Sequence, residues 1–160
     1  MPTTDAIVML REGHKEIRRL IRSYRACQDP DVVRRLVRVQ AVYAYIECEG
    51  MYPRVSVLAP ETERTILTLR EEHHIIEVLA AELHEMRPED IAFDAKARLM
   101  MDLVERHMDA EDEAWFPHVR SVVGRKELRE IGAWMAMLAE RAPQRPQRPS
   151  RRGEWDTVAA

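Results

Sequence analysis

Apolar residues recur every three or four positions in successive stretches of the chain, the spacing of a buried helical stripe. In the first stretch Ile7, Leu10, His14, Ile17, Ile21 and Tyr24 share one face, which predicts a helix from about Thr4 to Cys27. Asp29 followed by Pro30 reads as a stop and a restart, because the carboxylate can cap and proline suits a first helical turn. A second helix is then expected from about Pro30 to Met51. Pro53 and Pro60 bracket a connection, and Glu61 and Glu63 complement the positive end of a third helix, about Pro60 to Met86. Pro88 breaks that helix. A fourth is expected from roughly Asp90 or Asp94 to Trp115, stopping near Pro117, and a shorter fifth from about Arg125 to Arg141 after Gly124. Four long helices with short connections predict an all-α fold, an up-down-up-down four-helix bundle carrying a short C-terminal helix.

Composition narrows the class. The chain has 160 residues, 46% of them hydrophobic, with only 5 Gly and a formal charge of −3, which excludes collagenous, low-complexity and disulfide-scaffold proteins. Residues 1–141 are expected to form one domain. Residues 142–160 repeat proline at Pro143, Pro146 and Pro149 and hold too little apolar surface to offset ordering, so a disordered Pro/Arg-rich tail is expected. The sequence has no membrane-length apolar run, and charges enter the N-terminus too early for a signal peptide, so a cytoplasmic protein is expected. Cys27 and Cys48 would lie about 27 Å apart along the second helix at 1.5 Å per residue, so free thiols are expected.

Charge is divided unevenly: residues 1–40 carry net +4 and residues 61–115 net −10. A basic first hairpin facing an acidic second one accounts for this. No nucleic-acid motif accompanies the arginines.

Candidate chemistry comes from an internal repeat. LREGHKEIRRL (10–20) aligns with LREEHHIIEVL (69–79), pairing His14 with His73. YAYIECEGMYP (43–53) aligns with HMDAEDEAWFP (107–117), pairing Tyr43 with His107 and Glu47 with Glu111. Positions i and i+4 share a helix face, so His107 and Glu111 can address one ion. Counting from the predicted turns places His14, Tyr43, His73 and His107 at one level, about 20 Å up each hairpin, with Glu47 and Glu111 a turn further on. Imidazole and carboxylate together suit iron, manganese or zinc. Each residue alone reads as core or surface, but two carboxylates buried beside a bundle axis would be costly without a cation. His74, His84 and His118 fall off this face or level. Trp115 and Phe116 are expected to plug the bundle end, and Met100, Met101 and Met108 to pack.

At these residues the sequence resembles the hemerythrin-like family, whose bundles carry an H…HxxxE…H…HxxxE pattern around a non-haem di-iron centre. By that resemblance His14, Tyr43, Glu47, His73, His107 and Glu111 are the ligand positions for two iron ions, with Glu47 and Glu111 bridging them. Tyr43 stands where the family has histidine. Glu77 stands where oxygen carriers of the family have a further histidine, and is expected as an extra ligand or an acid/base. The chain is also similar to small hemerythrin-like proteins of actinobacteria such as mycobacteria, which are linked to peroxide and nitric oxide. The resemblance implies small-molecule partners (hydrogen peroxide, nitric oxide or oxygen) and either catalase-like chemistry or binding and sensing without turnover. It leaves the oligomeric state open.

Overall fold

The computed structural model describes residues 4–146, and among them every regular element is helical, with no strand. Helix α1 (Ala6–Cys27) begins at Asp5, whose carboxylate accepts from the Ile7 and Val8 N–H groups. Gln28, at φ 53°, ends it in a left-handed turn, and Asp29 caps α2 (Pro30–Ile46). Then come α3 (Tyr52–Leu58), α4 (Glu63–Glu85), α5 (Phe93–Ala110), α6 (Phe116–Val122) and α7 (Arg125–Ala139).

Two expectations are corrected. Pro53 and Pro117 do not stop their helices; the chain passes each proline and stays helical to Leu58 and to Val122. Proline is tolerated because it falls in a first turn, directly after a five-residue π-helical segment, Glu47–Met51 or Glu111–Trp115. Trp115 and Phe116 likewise do not plug an end: both are buried within the core beside the polar layer described below.

α1 packs on α2 and α4 on α5, while α1 also meets α5 and α2 meets α4. The charge partition appears in these contacts. Arg18 of α1 pairs with Asp109 and Asp112 at 2.9 Å each, and Arg25 pairs with Asp102 at 3.0 Å and Glu105 at 2.8 Å. α7 lies across α1, α2 and the first π segment. Gly132 permits this approach, since a Cβ there would sit 1.9 Å from the Thr4 carbonyl oxygen.

The apolar core is divided in two. One part gathers Ile7, Leu10, Ile46, Val55, Ile66, Leu69 and Phe116 with the α7 residues Ile131 and Met135. The other gathers Ile17, Ile21, Leu36, Ile76, Ala97, Met100, Met101 and Val104. Along α1 the change falls between Leu10 and Ile17, and along α4 between Leu69 and Ile76, so His14 and His73 occupy the boundary. Met100, Met101 and Met108 pack as expected, and Cys27 and Cys48 form no disulfide, as expected from their separation. No helix among the described residues is long and apolar enough to cross a membrane. Residues 142–146 are non-helical, and the remainder of the expected tail lies outside the described residues.

Candidate metal centre

The two carboxylates of the repeat open the two π segments. In each segment the backbone bonds five residues back: the Tyr52 N–H donates to the Glu47 carbonyl, and the Phe116 N–H to the Glu111 carbonyl. The next residue is proline, which has no N–H for the following carbonyl, that of Cys48 or Asp112. An arginine from the opposite hairpin donates instead, Arg70 Nη2 to the Cys48 oxygen at 3.1 Å and Arg11 Nη2 to the Asp112 oxygen at 3.3 Å. Each guanidinium also lies over the adjoining aromatic ring, Arg70 above Tyr52 and Arg11 above Phe116. Proline, π turn and arginine thus recur around a pseudo-twofold relation between the hairpins, and they aim Glu47 and Glu111 at the boundary between the cores.

Glu47, His73, His107 and Glu111 are all buried, and one donor atom from each lies within 4.8 Å of the others. His73 Nε2 donates to Glu47 Oε1 at 2.5 Å, and His107 Nε2 lies 3.4 Å from both Glu47 Oε1 and Glu111 Oε1. His14 Nε2 is 3.3 Å from the other oxygen, Glu111 Oε2, which accepts no hydrogen bond. Two acidic residues that sequence reasoning left on the solvated surface orient these imidazoles. Asp112 meets His14 Nδ1 at 3.0 Å, and Glu72 meets His107 Nδ1 at 2.8 Å. A carboxylate on Nδ1 fixes the ring and turns Nε2 inward, the usual arrangement for a metal-binding histidine.

Tyr52 was also missed. Its buried hydroxyl lies 2.7 Å from Glu47 Oε1 and 2.8 Å from Glu111 Oε1, with one proton to donate between two carboxylates. In the repeat it answers to Phe116, so only one half brings a hydroxyl to the centre. The signal lay in that Tyr/Phe mismatch inside an otherwise matching ending.

Tyr43 is half-buried, its ring lies against Gly13, and the charges acting on it are those of Glu16 and Glu12. In the second hairpin the matching positions are His107 and Glu72, which bond to each other. A Cβ on Gly13 would sit 2.3 Å from the Tyr43 ring. Gly13→Ala is therefore expected to lower stability by about 1–3 kcal/mol through overpacking, and the loss should disappear when Tyr43→Ala is added; a double-mutant cycle by urea unfolding reads this. Glu77 stands one turn beyond His73 on α4, half-buried and outside the four-residue cluster. His74, His84 and His118 are exposed.

Electrostatics in the metal-free chain follow from this packing. Burial opposes ionisation of Glu47, yet hydrogen bonds from His107 and His73 hold its carboxyl well below the usual range. Burial also opposes charge on His107, but Glu111, Glu47 and Glu72 outweigh it and push the imidazole well up. For His14 burial again pulls down, while the bond to Asp112 and the proximity of Glu111 raise it from 6.5 to about 9. A raised folded-state value stabilises fully below 6.5 and is lost as pH rises through about 9. Metal-free protein should accordingly resist urea less at about pH 9.5 than at about pH 6, and His14→Gln should shrink that difference.

The donor set fits a cation. Imidazoles and carboxylates suit iron, and the buried Glu111 Oε2, without a hydrogen bond, offers a lone pair inside a charged layer that a cation would neutralise. Fold and site together define a helical, cation-binding bundle with a buried imidazole–carboxylate centre. The family model of the hemerythrin HHE cation-binding domain matches residues 5–119, from the α1 cap to within α6, and the chain belongs to that family. No curated protein and no solved structure matches the chain. Family and cluster together point to a metal-binding protein, with iron as the metal.

Proposed function

We propose that this protein is an up-down-up-down bundle holding two iron ions, and that it disproportionates hydrogen peroxide or reacts with nitric oxide in the cytoplasm. Two carboxylates that share one buried centre with three imidazoles carry this reading. His14, Glu47, His73, His107 and Glu111 would hold the ions, with Glu47 and Glu111 between them. A pair of irons, when bound, supplies two one-electron exchanges, so that one peroxide can take two electrons and two protons to become two waters while another gives up the same to become dioxygen. Glu77, on the same face as His73 and one turn away, is the acid/base we assign to proton transfer, and the helical shell admits only small molecules.

Iron-loaded protein is expected to evolve dioxygen from peroxide, and Glu77→Gln to slow this by about 10²-fold or more, the ordinary contribution of a positioned acid/base. Protein carrying its irons but inert to both peroxide and nitric oxide would remove the enzymatic reading. Sensing of oxygen, nitric oxide or iron without turnover is the second reading. It is favoured by the hydrogen bonds that already join Glu47, Glu111, Tyr52 and the histidines without metal, which leave two folded states for occupancy to distinguish.

A further inference from the structure

The two halves of the repeat build the same scaffold but do not finish it alike. Around His73 the chain provides Glu47 at 2.5 Å, the second imidazole of His107, and Glu72 fixing that imidazole from behind. Around His14 it provides Glu111 at 3.3 Å, with Asp112 and, through Asp112, Arg18 holding the ring. There the second imidazole and its carboxylate are missing together: Tyr43 replaces the histidine and Gly13 replaces the glutamate. The replacements are sterically coupled, because the tyrosine ring occupies the space that a side chain on residue 13 would need. Tyr43 is also the only one of the six repeat positions that is not fully buried.

We infer that the centre holds its ions unequally: one tightly among His73, His107, Glu47 and Glu111, and a second loosely beside His14 and Glu111, where Tyr43 withdraws and leaves the side of the layer next to Gly13 open to exchange. This rests on the metal-binding reading above. The Tyr43–Gly13 pair is thereby a determinant of affinity, acting through what it fails to supply. Loss of a partner behind a ligand alone weakens metal binding about 10–100-fold. Here the ligand is lost with its partner, so the two binding steps should be separated by about 100-fold or more.

The test is a titration of metal-free, full-length protein with Co²⁺ under nitrogen, read by visible absorption and by elemental analysis after desalting. Wild-type protein is expected to retain one ion through desalting and to take up a second only in excess. His73→Ala should remove the tight step, and His14→Ala the loose one. The double substitution Gly13→Glu with Tyr43→His copies the Glu72–His107 pair into the first hairpin and should bring the second step to within about tenfold of the first. Tyr43→Phe should leave the titration, and the visible spectrum of the iron form, unchanged. Two ions bound with equal affinity by the wild type would overturn the inference and leave the metal reading standing. No bound ion would overturn both. A folded double variant with an unaltered second step, or loss of a visible iron band in Tyr43→Phe, would overturn the role given to Tyr43 and Gly13. Should the double variant fail to fold, the wild-type and histidine-variant titrations decide the matter alone.

Discussion

In Glu111→Gln the melting temperature should no longer respond to metal. Glu111 is fully buried and stands where the halves meet, with one oxygen toward His14 and the other toward Tyr52 and His107. A cation shared between the hairpins would draw on both oxygens, and an amide cannot replace the charge. Binding restricted to the folded state contributes about 4 kcal/mol when free metal is about a thousand times Kd. For a chain of this size that is about 8–16 °C in Tm. Chelation of the wild type should reverse the whole gain. The variant should melt within about 2 °C with and without metal, a difference below 1 kcal/mol. The substitution costs the metal-free fold less, because His14 and His107 can shed the protons that Glu111 helps them keep. A variant that keeps both its helical circular dichroism and its metal-dependent Tm would show that Glu111 is no ligand.

The same residue shows what the sequence made legible. Alignment of the two hairpins singled out His14, His73, His107, Glu47 and Glu111, and all five meet at the boundary between two apolar clusters. This works because helical spacing and equal distances from the turns are fixed by geometry. What could not be read was how the chain behaves at its prolines. Pro53 and Pro117 look like helix stops, yet each follows a π turn, and arginines from the opposite hairpin supply the donors that proline lacks. Tyr43 illustrates a related limit: it occupies the register of His107, but its ring packs against Gly13 where the second hairpin has Glu72. Tyr52, Glu72 and Asp112 escaped notice because a terminal aromatic and two acids on a mainly acidic hairpin look ordinary. Their roles depend on partners 35 to 98 residues distant or on a neighbour brought round by the π turn. The pairwise mismatches in the repeat, Gly13 with Glu72 and Tyr43 with His107, were the trace of this in the sequence.

Tyr52→Phe should weaken the metal-free protein far more than the metal-loaded one. Its hydroxyl donates within a buried layer whose other hydrogen bonds to Glu47 and Glu111, among the described residues, come from imidazoles. Its ring should stay in place without the oxygen, held under Arg70 and edge-on to Trp115 at 5.3 Å. The loss is therefore electrostatic rather than steric. Hydrogen bonds to charged groups contribute about 1.5–3 kcal/mol, and an abandoned buried acceptor costs a comparable amount, so a destabilisation of about 2–3 kcal/mol is expected without metal. With metal present, the cation satisfies the same oxygens, and the loss should fall below about 1 kcal/mol. Urea unfolding of both forms would thus show a larger metal-induced gain in the variant than in the wild type. Tyr43→Phe is the matched control: Tyr43 is half-buried, unlike Tyr52, so removal of its hydroxyl should change neither form by more than about 0.5 kcal/mol. Equal losses from Tyr52→Phe with and without metal would mean that the hydroxyl braces the bundle independently of the centre, and that the two carboxylates do not exchange a proton donor for a cation when the protein loads.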